Sequence, residues 1–181
     1  MNVYLVRHTS VNVPKGVCYG HTDVPLGDSF CKEAQVVMGN LNLIEKELEG
    51  EWDAVYSSPL GRCRKLAEFC GFKEAILDKR IMEMNFGEWE MQRFNDIKDS
   101  RIEQWYADYI NVKATGGESF KDQLERVAAF LNELKTKKYR NVLLFTHGGV
   151  LICSKIIASQ TSLKDAFKNP DGYGSIIKVE L

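Results

Sequence analysis

Two short apolar runs, distant in the chain, end alike: Asn2 to Val6 runs into Arg7 and His8, and Asn141 to Phe145 runs into Thr146 and His147. Their apolarity is continuous rather than alternating, the mark of strands covered on both faces, as in a parallel sheet. Two more runs, Ala54 to Tyr56 before Ser57, Ser58 and Pro59, and Ala75 to Leu77 before Asp78, add strands. Helices lie between them. Phe30, Ala34, Val37, Leu41, Ile44 and Leu48 step by four and three, from an expected N-cap at Asp28 to a stop at Gly50. Phe120, Leu124, Val127, Leu131 and Leu134 form a second stripe, starting near Ser119 and ending at the cationic Lys135, Lys137 and Lys138. Ser58 as N-cap with Pro59 at the first helical position predicts a third helix through Cys70 and Gly71. Gly148 and Gly149 lead into a fourth, from Val150 to about Ala158, and Ser175 to Leu181 reads as a closing edge strand. Strand–helix alternation with right-handed crossovers predicts a three-layer α/β/α sandwich around a mainly parallel sheet.

The stretch from Met84 to Glu118 breaks this alternation. It holds Trp89, Phe94, Trp105, Tyr106 and Tyr109 without a strand-like run, and it is expected to form a helical lid inserted in a single domain of residues 1–181. Its aromatics are expected to serve packing first, with one or two stacking on a substrate ring. Lys plus Arg (24) nearly balances Asp plus Glu (25), which disfavours a nucleic-acid partner. No window reaches the roughly 20 apolar residues of a membrane span, and Met1 to Val6 meets an arginine instead of a signal-peptide core. A soluble, cytoplasmic protein is expected. Cys18, Cys31, Cys63, Cys70 and Cys153 contain no Cys-x-x-Cys pair. That spacing excludes a zinc ribbon and fits reduced, buried thiols, with Cys63 at a helix start mildly reactive.

In an open α/β sheet, ligands bind beyond the carboxyl ends of the strands. Arg7 and His8 stand at one such end, His147 at a second, and Arg62 in the helix that follows a third. Helix N-termini at Ser58 and Gly149 add N–H donors, so an anion is expected, and arginine's planar fork of donors favours phosphate. A histidine there can be a ligand, a base or a nucleophile. For His8 the nucleophile is favoured, because Arg7 flanks it, no carboxylate-rich or His-x-x-x-His set accompanies it, and a neutral imidazole attacks phosphorus without first losing a proton. A metal site of His8, His21 and His147 is opposed by the flanking arginines. The leaving alkoxide needs a proton, and the later water must lose one. Glu83, between Ile81, Met82, Met84 and Phe86, is the candidate carboxyl, with desolvation and a neighbouring phosphate expected to raise its pKa; Glu88 and Glu90 compete on the residues alone.

Five segments in order resemble the histidine phosphatase, or phosphoglycerate mutase-like, superfamily: Leu5 to Thr9, Ser57 to Arg62, Glu83 to Trp89, Gly116 to Ser119, and Thr146 to Gly149. The resemblance spans nearly the whole chain. It implies His8 as the phosphorylated nucleophile, Arg7, Arg62 and His147 as the phosphate clamp, and Glu83 as proton donor and then base, with no metal or organic cofactor. Two positions depart from the pattern. Thr9 replaces the usual glycine, and Pro14 stands where many members carry a clamp asparagine, leaving Asn12 and His21 as the nearest candidate donors, with Gly148 a further substrate contact. The segments Cys18 to Leu26 and Met82 to Trp89 are similar to bacterial alpha-ribazole phosphatases of cobalamin synthesis. The expected partner is therefore a small phosphomonoester. A phosphoglycerate mutase or small sugar-phosphate phosphatase is the rival enzyme, and a non-catalytic phospho-ligand module the rival of another class.

Overall fold

The computed structural model of the chain describes residues 1–48 and 50–181. Strands β1 (Asn2–Arg7), β2 (Ala54–Ser57), β3 (Ile76–Leu77), β4 (Asn141–Thr146) and β5 (Ile176–Glu180) form one sheet in the order β3-β2-β4-β1-β5. The pairs β1–β4, β2–β4 and β2–β3 are parallel, and only the edge strand β5 runs antiparallel. Alternate residues send side chains to opposite faces. On one face Val3, Leu5, Val142 and Leu144 pack with Val127, Phe130 and Leu131 of α4 (Phe120–Lys135) and Val150 and Leu151 of α5 (Gly148–Ile157). On the other, Val6, Leu143 and Phe145 meet Ala34, Val37 and Leu41 of α1 (Phe30–Glu47) and Cys63 and Leu66 of α2 (Gly61–Phe69). The molecule is therefore the expected three-layer sandwich. β4 is buried at every position, which is why its sequence shows no polar alternation.

Three local details correct the reading of the sequence. The cap of α1 is Ser29, whose hydroxyl turns to Glu33, while Asp28 is exposed. α2 begins at Gly61 after an extended Leu60, so Ser58 and Pro59 lie in the turn before it, and the Ser58 hydroxyl accepts from the Leu60 N–H at 3.4 Å while reaching a second partner. Between Met84 and Glu118 the chain is less helical than expected: one α-helix, α3 (Arg101–Ala107), accompanies 3₁₀ turns at Gly87–Trp89 and Phe94–Asp96. Trp89, Cys18, Ile97, Ile102 and Ala114 make a small separate core beneath it. Among the described residues, no helix is long and apolar enough to cross a membrane.

Candidate active site

Arg7 and Thr146 are register partners in the central β1–β4 pair, so the next residue of each chain, His8 and His147, emerges side by side at the carboxyl rim. Their rings meet edge to face with centroids 5.2 Å apart. β2 lies on the other side of β4, and Ser58, one residue past its end, places its hydroxyl 2.7 Å from His147 Nε2. Two turns of loop and helix then bring in Arg62, in the first turn of α2.

The electronic state of His8 follows from its contacts. Nδ1 lies 2.7 Å from the Thr9 carbonyl, which can only accept, so Nδ1 carries the proton and Nε2 the lone pair. Burial first, then the charges of Arg62 and Arg7, lower its pKa to about 3. The ring is neutral at neutral pH. His147 is held well below the ordinary histidine range by burial, Arg62 and His8. Cys63 Sγ sits 3.4 Å from His147 Nε2 and donates to the Thr146 carbonyl at 3.3 Å. Burial pushes that thiol far up, which corrects the expectation of a reactive Cys63. Cys31, expected to be buried, is exposed.

Arg62 is fully buried and donates to the carbonyls of Gly20 (2.6 Å) and Thr22 (3.0 Å), while its Nε has no partner. Arg7 donates to the Asp171 carbonyl, lies 4.3 Å beneath the Tyr173 ring, and likewise leaves Nε unpartnered. A Cβ on Gly148 would stand 3.3 Å from this guanidinium, so a glycine lets Arg7 lie against the start of α5. Among the described residues neither arginine makes an ion pair. An enclosed cation without a counter-charge costs several kcal/mol. An anion at this rim removes that cost.

Glu83 faces the same space. Its Oε1 accepts from the Met84 N–H and from Gln123 Nε2, both at 3.0 Å, and its Oε2 from the Gly149 N–H at 3.2 Å, at the N-terminus of α5. The apolar cage expected around it is thus replaced by N–H donors. A Cβ on Gly149 would fall 2.3 Å from Oε1, so this approach requires glycine. Glu90 is otherwise engaged. It accepts from the His21 N–H at 2.7 Å and from Thr22, and these bonds, opposing its burial, hold it below the ordinary carboxylate range. It fixes the turn whose carbonyls seat Arg62.

Two expected donors are not brought to the clamp. Asn12 is exposed, and its backbone N–H bonds to Pro25. The His21 side chain faces a separate shallow pocket with Arg80, Glu118 and Arg126, so the three histidines do not assemble. Both belong to a loop that reaches the site through the Gly20 and Thr22 carbonyls and the Tyr19 side chain instead. Residues that spacing did not reveal are Ser58 as partner of His147, Gln123 as partner of Glu83, and Tyr19 and Tyr173 over the two arginines. Gln123 lies one turn from the capping residue Ser119 and interrupts the α4 stripe with a buried polar group, which is the available signal.

A cavity of about 480 Å³ opens from this rim. Arg7, His8, Glu83, Gln123 and Gly149 line its polar end; Phe86, Phe94, Trp105, Tyr109, Phe120 and Phe167 line the rest. Phe94 and Trp105 are stacked at 5.9 Å and 17°, and Phe86 and Tyr109 stand inclined to Trp105. Of the aromatics of this stretch, Phe94, Trp105 and Tyr109 thus reach the cavity, Trp89 is core, and Tyr106 is exposed.

Comparison with known proteins agrees with this geometry. The family model of the histidine phosphatase superfamily (branch 1) matches residues 3–181. An adenosylcobalamin/alpha-ribazole phosphatase of Salmonella typhimurium is 31% identical over 83% of this chain and 76% of its own. A putative phosphoserine phosphatase 2 of Hydrogenobacter thermophilus is 29% identical over 82% of this chain and 74% of its own. The crystal structure of the alpha-ribazole phosphatase from Shigella flexneri superposes with a TM-score of 0.87 at 24% identity, covering 100% of this chain and 91% of that one.

Proposed function

The chain belongs to the histidine phosphatase superfamily and is a phosphatase; from that premise we propose that it is a phosphomonoesterase working through phosphohistidine on alpha-ribazole 5'-phosphate. The observation that carries the chemistry is one fully buried and one half-buried guanidinium, neither ion-paired among the described residues, beside a histidine whose Nε2 lone pair is free. His8 Nε2 forms a bond to phosphorus as the P–O ester bond breaks, and a proton on Glu83 passes to the departing oxygen. Arg7 and Arg62 neutralise the oxygens of the transferred group, and His147 stands beside them as a neutral hydrogen-bonding partner. Water then attacks the phosphohistidine, Glu83 takes its proton, and phosphate leaves with His8 restored. Each step uses the chain's own residues and needs neither metal nor cofactor. Asn12 and His21 have no part in it, and Gly148 acts by admitting Arg7. The segment Met84 to Glu118 is the lid of the single domain, covering the leaving group.

The aromatic end of the cavity supports the ribazole assignment, because a flat benzimidazole gains stacking contacts there that a small polar leaving group does not. The names of the relatives point both ways, since one of them is a phosphoserine phosphatase. Phosphate release from alpha-ribazole 5'-phosphate, phosphoserine and 3-phosphoglycerate tests the reading. The ribazole ester is expected to lead in kcat/KM, preference for phosphoserine would replace the substrate, and dominant mutase turnover of 3-phosphoglycerate would overturn the phosphatase mechanism. Absence of any turnover would favour a binding module. Full activity after chelation is expected.

A further inference from the structure

The two arginines of the clamp are each capped by a phenol ring. Arg7 lies 4.3 Å from the centroid of Tyr173 and Arg62 5.5 Å from that of Tyr19. The two phenols come from segments 154 residues apart, yet their hydroxyls are 2.8 Å apart and form a hydrogen bond, the only one that joins these two side chains across the rim. The Tyr173 ring also stands 5.5 Å from the His8 ring, and Tyr19 lines the cavity that His8 enters. Nothing in the core requires this bond, since Tyr173 is exposed. Its segment is nevertheless held firmly: the Asp171 carboxylate pairs with Lys155 of α5 at 2.7 Å, the Asp171 carbonyl receives Arg7, and the Gly174 N–H donates to the His8 carbonyl at 3.2 Å.

We propose that this hydroxyl pair is a further wall of the phosphate pocket: Tyr173 donates to Tyr19, which leaves the Tyr19 O–H free to donate to an oxygen of the transferred phosphoryl group. Each hydroxyl has one proton and can accept as well as donate, so only this direction of the shared bond frees a donor on the cavity side. A donor that itself receives a hydrogen bond is strengthened. Burial holds the Tyr19 phenol above its ordinary pKa, so it keeps its proton when an anion arrives. Tyr19 is thus a substrate-binding residue and Tyr173 a positioning residue. The assignment rests on the phosphomonoesterase reading of the site and supplies the donor that Asn12 and His21 do not.

The test compares wild type, Tyr19→Phe, Tyr173→Phe and the double variant by calorimetric titration with inorganic phosphate and by kcat/KM on p-nitrophenyl phosphate. Phenylalanine keeps both rings over the arginines, so only the hydroxyls are lost. Tyr19→Phe is expected to weaken phosphate binding and lower kcat/KM together by about tenfold, as for a hydrogen bond to a charged group. Tyr173→Phe should lose about threefold, and the double variant should match Tyr19→Phe, because Tyr173 acts through the Tyr19 hydroxyl. Phosphate affinity of Tyr19→Phe within twofold of wild type, or single losses that multiply in the double variant, would overturn the proposal. If Tyr19→Phe does not fold, Tyr173→Phe decides alone, with unchanged phosphate affinity as the refuting result. A wild type that binds phosphate but hydrolyses nothing refutes the phosphomonoesterase reading, while the same affinities still decide the hydroxyl pair.

Discussion

The cavity has two ends built by different means. At the polar end, Arg7 and His8, with the buried Ser58 and His147 beside them, stand within one or two residues of three adjacent strand ends, and backbone register sets their spacing. At the aromatic end, Phe94, Trp105, Tyr109 and Phe167 come from loops and short helical turns, and their rings hold one another in place. The difference teaches which part of such a site tolerates change. A strand end moves only if the sheet moves, so the reacting groups are fixed, whereas a loop wall can exchange rings and with them the preferred leaving group.

The largest effect should come from breaking the rigid end. His8→Ala is expected to lower turnover of p-nitrophenyl phosphate on the order of 10⁴-fold or more and to abolish the acid-labile phosphoenzyme, while the fold survives by circular dichroism; retained turnover would remove the nucleophile from this description. Glu83→Gln should lower kcat by about 10²- to 10³-fold, with little change in inorganic phosphate affinity, and most for esters with poor leaving groups. The aromatic end should respond differently. Trp105→Leu is expected to reduce the ratio of kcat/KM for alpha-ribazole 5'-phosphate over that for phosphoserine by about tenfold, the scale of one stacked ring, leaving phosphoserine hydrolysis nearly unchanged. Equal losses on both substrates would erase the distinction between the two ends.

The smallest effect is on stability. His8 has its pKa lowered from 6.5 to about 3 in the folded chain, so between those values the unfolded state binds a proton that the native state refuses. Stability of the unliganded protein therefore falls as pH drops through this window and is unaffected above it. His147, shifted in the same direction, adds to the fall. The unfolding midpoint should drop between pH 7 and pH 5, less steeply in His8→Asn. A midpoint flat over that range would contradict two neutral, enclosed imidazoles.

Much of this is legible in the order of residues alone. Continuous apolar runs ending in histidine located β1 and β4, and the four-and-three spacing located α1 and α4, because those patterns answer to burial on both faces of a sheet and one face of a helix. Arg62 was legible as a cation in the first turn of a helix, where the dipole disfavours it without an anion. The start of α2 was misread because Ser58 and Pro59 suit a helix N-terminus locally, while the structure commits the Ser58 hydroxyl to His147, far away in the chain. Asn12 and His21 were nominated by proximity in sequence, which says nothing about side-chain direction in a loop.

By itself, the sequence determined the sheet, its covering helices and the rim on which His8, Arg7, Arg62 and His147 gather, since periodicity and strand-end position are local properties of the chain. Only the tertiary structure decided what surrounds them: the donors on Glu83, the rings that shape the leaving-group end, and the meeting of Tyr19 with Tyr173. Those depend on contacts between residues tens to more than a hundred positions apart, and such contacts are set by the packing of whole layers, which leaves no periodic trace in the order of residues.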